Sequence, residues 1–369
     1  MDPGARQSTQ EKIKELEGEL KKTKYNKATQ HHIGLVKAKL AQLKDKQEQR
    51  RGVGKGKDGY QVKQAGDATV VLIGFPSVGK STLLNQLTNA KSKIAAYAFT
   101  TLTVVPGLME YKNAKIQILD VPGVVHGAAS GTGRGREVLS VLRGADFALI
   151  VVDVFDTKQL AVLLNELNDA HIRINQLPPY IKIKKTMKGG VHVATTVPLT
   201  KTTKETIASV LREFKMVNAD VLIREDVSID QVIDTMEGNK KYLPAVIVVN
   251  KIDMVDDQAL DRLQNKIGDF LPISATTGHN IDRLKELIFQ RLGFIRIYLK
   301  EVGKRADRKE PLIIQSPATI QDICRKLHHD FVKKFRYARV WGKSSKFPGQ
   351  RFKLPHTMID EDVLELHIR

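Results

Sequence analysis

The spacing of apolar residues divides the chain into stretches of different rhythm. In the first, Ile13, Leu16 and Leu20 recur at helical spacing behind Ser8 and Glu11, which match a capping box. Ile33, Val36, Leu40 and Leu43 then recur behind Thr29, a residue able to cap a second helix. With only Tyr25-Asn26-Lys27-Ala28 between them, the two helices are expected to pack antiparallel. Residues 51–57 have glycines at 52, 54 and 56 and no periodicity, the pattern of a basic, flexible linker.

From residue 67 the rhythm changes. Short apolar runs at 69–75, 115–120, 146–153, 245–250 and 269–274 alternate with helical patterns near 80–89, 136–143, 157–170, 256–267 and 280–292. Such alternation predicts an α/β fold with a mostly parallel sheet and helices on both faces. It breaks between 172 and 243, where strand-like pieces (Ile181-Lys182-Ile183, Val191-His192-Val193 and 220–223) accompany helical patterns at 203–215 and 228–238. That stretch is expected to be an inserted α+β subdomain. After Gly293, strands at 294–302, 312–315, 337–341 and 363–368 surround a helix over 319–331 that opens with Thr319 and Asp322. The expected organisation is therefore a helical hairpin and linker over 1–66 and an α/β domain over 67–293. The insert occupies 172–243, and a small α+β domain covers 294–369.

Charge sharpens this picture. The chain of 369 residues has a formal net charge of +19, of which residues 1–66 and 294–369 carry +8 each. A near-neutral centre between basic flanks points to polyanionic partners. The apolar runs are too short to span a bilayer, and Met1–Gln10 lacks an apolar leader core. The single cysteine, Cys324, has no internal disulfide partner. A cytoplasmic protein without a membrane segment is the expectation.

Gly74-Phe75-Pro76-Ser77-Val78-Gly79-Lys80-Ser81 follows an apolar strand and precedes a helix, and it matches GxxxxGK[ST]. Glycines let the backbone wrap phosphate oxygens, and the helix that begins there turns its positive end to the anion. Lys80 is placed to neutralise β- and γ-phosphates; Ser81 supplies a hydroxyl ligand for Mg²⁺, with Thr82 beside it. Asp120-Val121-Pro122-Gly123 ends a strand and fits DxxG. Asp120 is expected to hold Mg²⁺ through water, and the Gly123 N–H to meet the γ-phosphate. Thr101, preferred over Thr100, is expected to complete the Mg²⁺ shell from the loop between helix and strand. Asn250-Lys251-Ile252-Asp253 ends another strand. A carboxylate there accepts N1–H and the 2-amino group of guanine together, a pairing adenine does not offer. Ser274-Ala275-Thr276 follows the next strand and offers backbone donors to the guanine carbonyl.

The ordered set GFPSVGKS, FTTLT, DVPG, NKID and SAT resembles the translation-factor-related GTPases, specifically the Drg branch of the Obg–Drg group, over nearly the whole chain. The resemblance implies a P-loop GTPase domain with an insert of a kind seen in ribosomal proteins. It also implies a C-terminal TGS domain of β-grasp fold, GTP and GDP as ligands, Mg²⁺, a connection with ribosomes or RNA, and a protein cofactor. Potassium stimulation occurs among relatives in which an asparagine of the phosphate loop binds the ion. Here Ser77 stands at that place and leaves a hydroxyl for K⁺.

Val124 occupies the position where Ras-like GTPases carry a water-orienting glutamine, so slow intrinsic hydrolysis is expected. Water positioning or charge neutralisation then falls to K⁺, to the glycine-rich segment 123–135 or to a partner. Arg134, Arg136 and, less readily, His126 are the side chains that segment and its end supply. A GTP-binding scaffold or RNA-binding module with negligible hydrolysis is the competing class. Residues 333–341 (KKFRYARVW) interleave cations and aromatics. They read either as a phosphate-plus-stacking surface or as a strand whose Phe335, Tyr337 or Trp341 alternates into a core. Gln350-Arg351-Phe352-Lys353 is a weaker example, and His31-His32 and His328-His329 lack metal-ligand spacing.

Overall fold

The computed structural model describes residues 3–24, 26, 29–51, 66–88, 105–121 and 141–369. They form two compact units: one of the N-terminal helices with residues 176–242, the other of the remaining described residues.

In the first unit, helix α1 (Pro3–Lys22) starts five residues before the expected Ser8. Proline suits the first helical turn, where no N–H is needed, so Ser8 and Glu11 lie inside the helix rather than at its cap. Helix α2 (Gln30–Arg51) begins directly after Thr29, whose carbonyl accepts the Ile33 N–H while its side chain bonds back to Asn26. Asn26 Oδ1 accepts the Thr29 N–H at 2.8 Å while Thr29 Oγ1 accepts the Asn26 N–H at 3.0 Å, a reciprocal pair at the start of the helix. Ile13, Ile33 and Val36 are buried, and α1 packs along α2.

The insert contributes strands β6 (Ile181–Lys185), β7 (Val191–Thr195) and β8 (Ala219–Ile223), in spatial order β6-β8-β7. Helices α5 (Lys204–Glu213) and α6 (Ile229–Glu237), capped by Thr203 and Ser228, cover one face. Register places Ile181, Ile183, Val191, Val193, Val221 and Ile223 on that face, in a core with Ile207, Val210 and Val232. Helix α2 closes the core with small residues: Ala38 is fully buried, Ala41 packs beside it, and a side chain at Gly34 would meet Thr206 Cγ2 at 3.1 Å. The N-terminal hairpin is therefore part of the insert's fold, joined along a face that the pattern of large apolar residues does not mark.

In the second unit a six-stranded sheet has the order β11-β10-β4-β1-β3-β2. Strands β1 (Ala68–Ile73), β3 (Ala114–Asp120), β4 (Phe147–Asp153), β10 (Ala245–Asn250) and β11 (Leu271–Pro272) run parallel. Alternate residues feed two cores. Val70 and Leu72 pack with α3 (Lys80–Leu87) and α8 (Ile281–Arg291); Val71 and Ile73 pack with α4 (Lys158–Asp169). Strand β2 (Val105–Tyr111), antiparallel to β3, was not expected, because Pro106 and Gly107 argue against a strand. At the sheet edge proline is tolerated, and Gly107 is required: a Cβ there would stand 2.5 Å from Thr88 Cγ2. Strand β5 (Ile172–Ile174) leads into the insert and β9 (Lys241–Leu243) out of it; the Asn175 N–H donates to the Leu243 carbonyl and the Asn175 Oδ1 accepts the Ala245 N–H. Helix α7 (Asp257–Ile267) lies between β10 and β11 in the chain.

The C-terminal sheet has the order β13-β12-β18-β15-β16. Its strands are β12 (Phe294–Leu299), β13 (Leu312–Gln315), β15 (Phe335–Trp341), β16 (Gln350–Phe352) and β18 (Val363–Ile368), while β14 (Ala318–Thr319) and β17 (Thr357–Met358) form a separate pair. The expected helix over 319–331 is two helices, α9 (Ile320–Leu327) and α10 (His329–Lys334). His328 is extended at the break and accepts the Asp330 N–H. Phe294 and Ile313 belong to the core of the six-stranded sheet, so the boundary at 294 is a packed one.

Gly34→Leu is expected to lower the melting temperature by several degrees, since the added side chain has no space against α5 and α6. Gly18→Ala, with nothing within 4 Å of its added Cβ, should raise or leave it unchanged. Circular-dichroism melts of the two variants check this; equal melting temperatures would contradict the packing.

Candidate nucleotide site

The carboxyl ends of β1, β3, β4 and β10 meet where β1 lies between β3 and β4, the reversal point at which α/β sheets open a crevice. The chain leaves β1 at Gly74 and enters α3 at Lys80, and the loop between them contains two left-handed residues, Ser77 (φ 65°) and Gly79 (φ 94°). Two glycines are sterically required. A Cβ at Gly74 would lie 2.4 Å from the Val151 carbonyl oxygen, and one at Gly79 would lie 2.3 Å from Asn250 Nδ2. Val78 is buried, while Pro76 and Ser77 are exposed on the loop crest. Phe75 packs against both cores beneath.

Lys80 Nζ donates to the carbonyls of Gly74 (3.0 Å) and Phe75 (2.8 Å). Burial pushes its pKa down and Asp120 pushes it back up. The ammonium is thus held at the loop by groups that an anion can replace. Ser81, exposed with Thr82 in the first turn of α3, donates from Oγ to Asp120 Oδ2 at 2.8 Å. Asp120 is buried, and its Oδ1 has no hydrogen-bond partner among the described residues. A buried carboxylate oxygen left unpaired is costly. A hydroxyl and a carboxylate oxygen side by side are hard oxygen donors, and this unmatched oxygen fits a divalent cation such as Mg²⁺.

Asn250, at the end of β10, is buried and committed on both sides. Its Nδ2 donates to the Val78 carbonyl at 2.9 Å, and its Oδ1 accepts the Ala275 N–H at 2.9 Å. It therefore ties the phosphate loop to the segment that follows β11. The N–H groups expected to meet a guanine carbonyl are engaged within the protein: Ser274 donates to the His279 carbonyl and Ala275 to Asn250. Ser274 Oγ accepts the Thr277 N–H, and Thr276 is exposed. Asp253 stands exposed in a short 3-10 turn, Ile252–Met254, and no ion pair or hydrogen bond engages its carboxylate among the described residues. Lys251 Nζ pairs with Asp153 Oδ2 at 2.5 Å. Asp153 was not singled out from sequence; its signal is a carboxylate closing a central apolar strand. Thr100, Thr101, Gly123, Val124, His126, Arg134 and Arg136 lie outside the described residues.

Away from this crevice, the segment 333–341 resolves in neither of the two expected ways alone. A register shift between Phe335 and Tyr337 turns Phe335 towards the core and leaves Ala338 and Val340 as the buried residues. Tyr337, Arg339 and Trp341 share the other face. There Tyr337 stacks on His367 (4.2 Å) under Arg351 (4.7 Å), and Trp341 packs on Gly349 under Lys300 (4.7 Å). These rings are already stacked within the protein, so the face offers cations more readily than free aromatic surfaces. His31 contacts Thr206 and His32 contacts Glu19. His328, His329 and Asp330, whose sequence spacing suggested no metal site, bring one ligand atom each within 4.8 Å of the others on the surface.

Residues 69–185 match the family described as 50S ribosome-binding GTPases, 188–294 match the C-terminal region of that GTPase domain, and 295–368 match the TGS domain. A GTP-binding protein of Methanocaldococcus jannaschii is 54% identical over 364 residues, 98% of this chain and 93% of the relative. Developmentally-regulated GTP-binding protein 2 of Bos taurus is 42% identical and its Dictyostelium discoideum homologue 43%, each alignment covering 96% of this chain and 98% of the relative. Near-complete coverage at this identity, together with a P-loop whose glycines admit no side chain, makes the chain a member of the developmentally-regulated GTP-binding protein (Drg) family, with a P-loop GTPase domain and a C-terminal TGS domain.

Proposed function

We propose that this protein is a Mg²⁺-dependent GTPase that cleaves GTP to GDP and phosphate, a cytoplasmic nucleotide-state switch associated with ribosomes or RNA. The observation that carries the reading is the Ser81–Asp120 pair, with its unmatched buried oxygen, beside a glycine-lined loop and Lys80. Ser81 and Asp120, with Thr101, are the residues that would hold Mg²⁺, which neutralises β- and γ-phosphate charge when bound. Lys80 adds fixed positive charge where negative charge builds up as the terminal phosphoryl group departs. The Gly123 N–H serves the γ-phosphate, and water attacks the phosphorus in line with the leaving oxygen. Asp253 reads the guanine edge, and Asn250 and Lys251 set the turn that presents it.

Val124 can neither donate nor accept a side-chain hydrogen bond, which supports slow turnover of the isolated chain and stimulation by K⁺ at Ser77 or by a protein partner. Ribosome or RNA association is supported by the basic flanks and by the uncovered face of the insert's sheet. There Lys182 and Arg224 lie over Tyr180, and Lys184 stands in register with Asp220.

Lys80→Ala is expected to lower single-turnover GTP hydrolysis by about 10² or more. Asp253→Asn should shift preference from GTP to XTP by about 10³. Tight GTP binding without phosphate release by the wild type, with K⁺ and ribosomes present, would instead favour a scaffold.

Replacing Na⁺ by K⁺ at constant ionic strength should raise the single-turnover rate, and equal rates would remove the cation from the account. Co-sedimentation with ribosomes should be stronger with a non-hydrolysable GTP analogue than with GDP. It should fall for Lys182→Glu/Lys184→Glu; binding independent of nucleotide would reject the switch.

A further inference from the structure

Asp153 ends β4 and is the cross-strand neighbour of Asn250, so it stands at the rim of the crevice although it belongs to none of the nucleotide motifs. Its two oxygens have separate tasks. Oδ1 accepts the N–H of Phe155 at 3.0 Å, which fixes the carboxylate to its own turn. Oδ2 receives Lys251 Nζ at 2.5 Å, with both side chains largely shielded from solvent. Lys251 is itself left-handed (φ 67°, ψ 32°) and starts the 3-10 turn that carries Asp253. A non-glycine residue keeps such a backbone only where its surroundings hold it.

The lysine stem therefore spans from the turn bearing Asp253 to the end of the adjacent strand, with its charge anchored rather than mobile. Four methylenes held in this way form a narrow apolar surface. An unanchored lysine would have to surrender its rotamer freedom each time a purine bound against it. We infer that Asp153 is a positioning residue for guanine-nucleotide binding: it pins Lys251 so that the lysine stem is a preformed wall of the purine pocket beside Asp253. Asp153 does not touch the nucleotide. This rests on the guanine reading above, and it adds a residue that acts on retention of the purine and not on the choice of its edge.

The test follows release of a fluorescent GDP analogue from the full chain by stopped flow, in Asp153→Asn, Lys251→Met and the double variant. Methionine keeps the apolar stem and removes only the anchored charge. Each single change is expected to speed release about tenfold, the loss of roughly one charge-assisted hydrogen bond. The double variant should release no faster than either single. Affinities for GDP and for IDP, which lacks the 2-amino group, should fall in the same proportion in Asp153→Asn, because Asp253 still reads the base edge.

Unchanged release, or rates that multiply in the double variant, would overturn the inference, as would a shifted GDP-to-IDP ratio. Should Asp153→Asn not fold, Lys251→Met decides alone, since unchanged release there leaves nothing for Asp153 to position. A wild type that binds ADP as well as GDP would instead overturn the guanine reading, a result separable from all of these.

Discussion

The side-chain amide of Asn250 is the contact on which the nucleotide site depends. A phosphate loop is a strained piece of backbone, here with two left-handed residues, and the bonds of Lys80 to its Gly74 and Phe75 carbonyls restrain it only from within. Asn250 restrains it from outside by bonding the Val78 carbonyl on one side and the Ala275 N–H on the other. One amide thus joins three segments from the ends of different strands. The clearance is narrow: Gly79 is required because Asn250 occupies the space a side chain would need.

A second constraint is charge placed before any ligand arrives. Lys80 rests on two loop carbonyls, Ser81 on one oxygen of Asp120, and Lys251 on Asp153. In each case a polar group is held by a partner instead of by water, which lowers the reorganisation needed when an anion or cation binds. Asp120 Oδ1 differs, since it is buried without a donor among the described residues.

Much of the site was legible because its chemistry demands particular residues at particular spacings. A loop around phosphate needs glycine where backbone approaches backbone, and Gly74 and Gly79 are where the contacts forbid a Cβ. Asp120 ends β3, and Asp253 stands three residues beyond β10 in a short 3-10 turn. Other parts could not be read. Asp153 has no motif, since its partner Lys251 follows a strand 98 residues further along the chain. Asn250 bonds the Val78 carbonyl and the Ala275 N–H, partners that only the fold brings near. The Ser274 and Ala275 amides likewise have internal acceptors that only the fold brings near.

Sequence by itself determined most of the element types, the P-loop and the changes of pattern that mark the insert and the C-terminal stretch. All of these follow from local periodicity or from short-range spacing. Tertiary structure decided what depends on approach between distant segments. It joined the N-terminal hairpin to the insert through Gly34 and Ala38, residues too small to register in an apolar pattern. It turned Tyr337 and Trp341 to the outer face through a register shift beside Phe335, which no alternation of residue types encodes. It also set Lys251 on Asp153, because parallel pairing of two strands, not sequence proximity, brings their ends together.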